Sequence, residues 1–402
     1  MLSRVLFILF NAMIFLSLIF NDIPFTPRRL LMVFLGLGAV GLSIIGVLLK
    51  YSMTRKIRKI PLVSWQWILL LLIVLPLLRT SLSITPIEMK LFLFSAVVTL
   101  AASQYLQPES GKAFTVKVFY LSIWVLWILL ILQGILGEVD PNALVRTDAG
   151  LSDFKLKFAF SNVFSSANHV ATLYGFVTLL ILNKSEFWLI KYLLLGISLY
   201  VFLALDANVA LFSLLVVVFF SNILFRFRWS LVLVTIFYPL IFIAYAAVLF
   251  AFLGVQSEVL ISMNNRLPMW AGLLAEFQSW RPLQIVLGQA WYSNYIETTK
   301  WIYTDIFGQY YSGLKTAHST SLQLIMDTGV VGFMLYVFFI IKYMCRLEGG
   351  LKKYKRYFIP ISFLLLAGIS ESLFGVYMPT LFLLLSMVVV LMSTKTLVNY
   401  ES

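Results

Sequence analysis

Thr316-Ala317-His318-Ser319-Thr320-Ser321-Leu322-Gln323-Leu324-Ile325-Met326-Asp327-Thr328-Gly329-Val330-Val331-Gly332 is a junction between two kinds of sequence. Before it lies a polar and aromatic interval that begins at Asn264, the longest in the chain without an apolar run able to cross a membrane. From Ser319 through Ile341 the residues are apolar enough for a helix in hydrocarbon. Nearly all the remaining chain is of this second kind. The expected fold is therefore a set of membrane-embedded α-helices carrying one large loop of short interfacial helices.

Composition leads to the same class. Hydrophobic residues make up 61% of the 402 and charged residues 12%, whereas about a quarter of a soluble domain is charged. Apolar runs of roughly 17 to 25 residues, each able to cross about 30 Å of hydrocarbon as a helix, recur throughout. Helices are predicted near 3–20, 30–49, 61–78, 88–106, 116–136, 162–182, 187–204, 209–224, 230–254, 319–341, 358–374 and 378–394. Residues 1–402 thus read as a single polytopic, all-α membrane domain of about twelve transmembrane helices. The first run, Val5 to Phe20, follows Arg4 as a signal peptide would. No small-residue cleavage site follows it, so it is read as the first membrane helix.

A net charge of +13 is compatible, as a bare number, with nucleic acid or with anionic lipid. Its distribution decides between them. With the N-terminus inside, the inner loops together with Arg4 and Lys395 hold nineteen of the thirty basic residues, including Lys50, Arg55, Lys56, Arg58 and Lys59 and the run from Lys342 to Arg356. The outer side keeps eleven, among them Arg28, Arg29, Arg79, Lys90, Arg146, Arg266 and Arg281. That is the bias of a multi-pass membrane protein with both termini on the cytoplasmic side, and no nucleic-acid partner is required. The one cysteine, Cys345, excludes an intramolecular disulfide and a cysteine-based metal cluster.

The same orientation places two larger loops outside, 137–161 and 254–318. The second carries Trp270, Trp280, Trp291 and Trp301. Indole rings suit a membrane interface, and they also suit the apolar C–H face of a sugar, so Trp270, Trp291 and Trp301 are candidate sugar contacts.

Several enzyme signatures are missing: the chain has no phosphate-binding Gly-x-x-x-x-Gly-Lys-Ser, no His-Glu-x-x-His and no Gly-x-Ser-x-Gly. With two histidines and one cysteine, no zinc site is expected. What remains is a group of polar residues at the outer boundary. Arg266 and Arg146 offer planar guanidinium forks that match phosphate oxygens. His318, just before the tenth helix, is the side chain type best suited to take a proton near neutral pH. His169 stands at the outer end of the sixth helix, and Asp206 and Glu371 at other outer helix ends. Ionisable groups at such depth line a cavity or have a partner, so each is a candidate to support His318 or an arginine.

Taken together, Asn265-Arg266-Leu267-Pro268-Met269-Trp270, the span from His318 to Phe333 with its His-x-x-x-Leu and Gly-x-x-Gly-Phe, and the stretch from Arg146 to Asn168 resemble the O-antigen ligase and polymerase superfamily of bacterial envelope proteins. The resemblance covers roughly residues 140 to 380. It implies a cofactor-free, metal-independent glycosyl transfer on the periplasmic side from a polyprenyl-diphosphate-linked oligosaccharide to an acceptor glycan or glycolipid. His318 would be the catalytic base, and Arg266 with Arg146 would hold the diphosphate. A chain-length regulator and a flippase are implied as partners.

Two positions depart from the family pattern. Ser319 replaces the asparagine that usually follows the histidine, and Asp206-Ala207-Asn208 stands where ligases carry a Ser-Arg or Thr-Arg pair. The second departure favours a repeat-unit polymerase over a ligase that uses lipid A-core as acceptor. A polyprenyl-glycan transporter is the reading from another class, but the chain shows no internal repeat of the kind many transporters have.

Overall fold

The computed structural model describes residues 1–18, 25–54, 64–78, 84–107, 112–136, 167–182, 188–205, 207–253, 270, 277–289, 317–347, 351–375 and 378–393. Among them there is no strand. In chain order the helices are α1 (Leu2–Leu18), α2 (Phe25–Thr54), α3 (Ser64–Leu78), α4 (Ile84–Leu106), α5 (Lys112–Leu136), α6 (Ala167–Leu182), α7 (Trp188–Ala204), α8 (Asn208–Arg226), α9 (Arg228–Leu253), the short α10 (Pro282–Leu287), α11 (Thr320–Cys345), α12 (Leu351–Ala367) and α13 (Pro379–Ser393).

Five apolar segments are long enough to cross a bilayer by themselves: Leu30–Thr54, Ile87–Leu106, Ala113–Leu132, Asn208–Arg226 and Thr320–Cys345. Seven shorter apolar helices accompany them among the described residues. The surface confirms the solvent these helices are built for. Phe34, Leu37, Phe212, Phe219 and Met334 are all exposed, while Lys90, Asp327, His169 and Glu371 are buried. Apolar side chains outside and ionisable ones inside mark a multi-pass membrane protein.

Hydrocarbon surroundings give no hydrophobic drive for helices to associate, so close packing and interhelical hydrogen bonds take over. Helix α6 is buried from His169 to Leu182 and α13 from Thr380 to Leu391, so both are enclosed by their neighbours along nearly their whole length. Gly175 lets α6 approach α12 and α7: a Cβ there would lie 2.6 Å from the Phe363 ring and 3.0 Å from Phe202. Thr178 on α6 accepts hydrogen bonds from Trp127 Nε1 on α5 and Ser198 Oγ on α7, each at 3.1 Å. Ser17 and Thr380 join the end of α1 to the start of α13 at 2.9 Å. Lys50 Nζ donates to the Tyr105 carbonyl at 2.6 Å, tying the last turns of α2 and α4.

Helix limits differ from the sequence expectation in one place that matters. The helix expected at 358–374 runs from Leu351 to Ala367. It starts earlier because hydropathy does not register the basic first turns around Lys352, Lys353 and Lys355. It stops earlier because the Gly368 carbonyl is taken by the Thr320 N–H of α11 at 2.8 Å. Glu371 consequently sits in an irregular turn, not on a helix. Lys90, counted above with the outer cations, lies within α4 and is fully buried.

Candidate functional site

Three helix boundaries meet: the start of α6, the start of α11 and the turn after α12. Each brings one residue singled out in the sequence. Glu371 Oε2 lies 3.6 Å from His318 Nδ1 and 3.8 Å from His169 Nε2. Both separations exceed a hydrogen bond, so they are close approaches of a carboxyl group to two imidazole rings and become ion pairs only where a ring is protonated. The carboxyl group of Glu371 is fully buried, the His169 side chain nearly so, and the His318 side chain is 29% exposed. Since Nδ1 is itself buried, the exposed part of the His318 ring is the part turned away from Glu371.

Asn168 Nδ2 donates to Glu371 Oε1 at 2.8 Å. Thr320 Oγ1 donates to the Glu371 backbone carbonyl at 2.7 Å and accepts from the Leu373 N–H at 3.1 Å. These bonds dock the turn onto the first residues of α6 and α11. Helix N-termini carry a partial positive charge, so both helices favour an anion where Glu371 stands.

His318 has φ of 44°, the only non-glycine residue with positive φ among those described. That conformation is rare outside glycine and persists where the surroundings over-determine it. Here the preceding residue is held on both sides. The Ala317 N–H donates to Gln323 Oε1 at 2.6 Å, and its carbonyl accepts from Trp270 Nε1 at 2.8 Å. Ser319 follows in an extended conformation as the N-cap of α11. The histidine is thus fixed by its backbone at the entrance to a buried carboxylate.

Trp270 has a different place from the one its ring type suggested. It is 3% exposed, packed with its N–H on Ala317, so it shapes the His318 backbone and offers no open face for a sugar. Gly329 breaks α11 with φ 65° and ψ −167°, and Gly288, just after α10, has φ 72° and ψ −173°. A Cβ on either would lie 2.4 Å from backbone of the other segment. The two glycines therefore let α10 cross directly on the backbone of α11, where the Gln289 N–H takes the Met326 carbonyl at 2.8 Å.

Thr320 also borders an otherwise apolar cavity of about 30 Å³, lined in part by Tyr336, Phe339 and Leu373. It has room for a water-sized molecule and none for a sugar. Among the described residues no group of three His, Cys, Asp or Glu side chains is arranged to hold a metal ion.

Arg266, Arg146, Asp206, Trp291 and Trp301 lie outside the described residues, as do all of 137–161 and most of 254–318. Of the sequence candidates, the structure brings His318, His169 and Glu371 together. Sequence reasoning missed Asn168, Thr320, Gln323 and Asp327. Asn168 precedes His169 and Thr320 follows Ser319 in the chain, and that adjacency is the one signal the sequence offers for them. Gln323 and Asp327, one helical turn apart within an apolar run, are polar groups on a single helix face, and that spacing was the available signal. Searches of family models, curated proteins and solved structures find no match to this chain.

Proposed function

We propose that the chain is a glycosyltransferase of the bacterial inner membrane. It crosses the bilayer twelve times with both termini in the cytoplasm and moves a glycan from a polyprenyl diphosphate to an acceptor hydroxyl on the periplasmic face. The observation that carries this reading is the partly exposed His318 backed by the fully buried Glu371. A carboxylate facing Nδ1 favours the proton on that nitrogen, leaving Nε2 as the base, and stabilises the imidazolium once a proton is taken.

His318 removes the acceptor hydroxyl proton as the oxygen attacks the anomeric carbon. The bond from that carbon to the diphosphate breaks, and polyprenyl diphosphate leaves with the electron pair. Arg266 and Arg146 are assigned the growing charge on the diphosphate, the role for which a guanidinium fork is suited. Among such transfers a repeat-unit polymerase is favoured, because Asp206-Ala207-Asn208 lacks the basic residue of the ligase pattern.

The test is the glycan profile of a deletion strain complemented with wild type, His318→Ala or Arg266→Ala at matched membrane levels. Both variants are expected to leave transfer unrestored. Single repeat units on the final acceptor would identify a polymerase, and long chains stranded on the carrier lipid would identify a ligase. Full-length glycan at wild-type levels from His318→Ala would remove the base assignment.

A further inference from the structure

Beneath the histidines lie three buried polar side chains with no part in the transfer chemistry: Gln323 and Asp327 on α11, and Lys90 on α4. Lys90 and Asp327 are electrostatic partners inside the bundle. Lys90 Nζ also donates to the Pro76 carbonyl, in the last turn of α3, at 3.3 Å.

Gln323 stands between this charge pair and the site. Its Nε2 donates to both oxygens of Asp327 at 3.0 Å. A carboxylate only accepts, so this contact admits one orientation of the amide, with NH₂ toward Asp327 and oxygen away. The oxygen then receives the Ala317 N–H at 2.6 Å and Ser372 Oγ at 3.3 Å. Ala317 precedes His318, and Ser372 follows Glu371. One amide oxygen joins the two backbone segments whose side chains face each other across 3.6 Å.

We propose that Gln323 is a positioning residue that sets the His318–Glu371 separation, with Asp327 and Lys90 fixing which way its amide points. The proposal rests on reading His318 as the base. A purely structural role for the same network would let activity follow stability. A positioning role separates them.

Two full-length variants in native membranes distinguish these roles: Gln323→Met, and the double change Lys90→Met with Asp327→Leu. The double change removes both charges together, so no lone charge is left buried. Each is measured for membrane level and detergent thermal stability, for glycan transfer, and for the rate at which diethyl pyrocarbonate modifies His318, followed by peptide mass spectrometry. That reagent reads the imidazole directly, whatever reaction the protein catalyses. At wild-type membrane levels, both variants are expected to shift the His318 modification rate by about threefold or more, reflecting an altered imidazole environment. Transfer is expected to fall at least about tenfold, the scale of small misplacements of a reacting group. Wild-type His318 reactivity in either variant overturns the positioning role. Altered reactivity with unchanged transfer instead removes His318 as the base and leaves the positioning intact. If neither variant inserts, Ser372→Ala, which deletes a single oxygen, decides: unchanged His318 reactivity there overturns the proposal.

Discussion

At the scale of single residues, Glu371 has the most constrained surroundings. Its side chain is fully buried, receives Asn168 Nδ2, and faces two imidazoles through the same oxygen. Glu371→Gln keeps the shape and removes the charge that, in the proposed transfer, orients and stabilises His318. Transfer should then fall by about two orders of magnitude or more, within the range ascribed to general-base catalysis, with protein levels in the membrane little changed. Asn168→Ala leaves the charge in place and removes one donor, so its loss should be smaller. Steady-state transfer at matched protein levels checks both, and a Glu371→Gln enzyme as fast as wild type would detach the carboxylate from the chemistry. His318 and Glu371 could be picked out from the sequence because ionisable residues are scarce in apolar helices. Their pairing could not, since 53 positions separate them and no local pattern reports which helix ends meet. Trp270 illustrates the opposite case: its ring chemistry allowed a sugar contact, and only burial against Ala317 revealed a backbone role.

At the scale of elements, the crossing of α10 on α11 depends on two glycines. Gly288 and Gly329 occupy a region of φ/ψ space open essentially to glycine alone. Each is also within 2.4 Å, by the position of an added Cβ, of backbone that has no side-chain end to swing away. Gly329→Ala should therefore destabilise the protein by about 3 kcal/mol or more, combining backbone strain with overlap. A lowered thermal midpoint in detergent is the readout. Gly196→Ala on α7 is the control, since an added methyl there meets nothing within 4 Å. It should be neutral or stabilising by up to about 1 kcal/mol, from helix propensity. Equal effects of the two changes would argue against the backbone crossing. Gly329 opens the Gly-x-x-Gly-Phe of the sequence, and in the structure it serves this close backbone approach. The partner, α10, is six residues long, too short for hydropathy to find.

At the scale of the molecule, the side-chain hydrogen bonds between helices tie particular helix ends together. Hydrogen bonds gather the start of α6, the start of α11 and the turn after α12, while the start of α13 joins the end of α1 and the last turns of α2 and α4 pair with each other. The lone cysteine makes the orientation testable. Cys345 is exposed at the end of α11 and assigned to the cytoplasmic side. A membrane-impermeant maleimide should label it only after cells are permeabilised. Arg281→Cys in a Cys345→Ser background should instead be labelled from the periplasm in intact spheroplasts, and the reverse pattern would invert the topology. Membrane embedding, the all-helical class and nearly every helix position were determined by the sequence alone. Hydrocarbon leaves the backbone no partner but itself, so an apolar run of sufficient length has one outcome. Where α12 ends, that Lys90 is interior, and that His169, His318 and Glu371 share one site were decided only by the tertiary structure. Those outcomes depend on hydrogen bonds and close contacts between helices far apart in the chain, such as Thr320 on Gly368 and Gln323 between Ala317 and Ser372. Such contacts leave no periodic trace in the residues that make them.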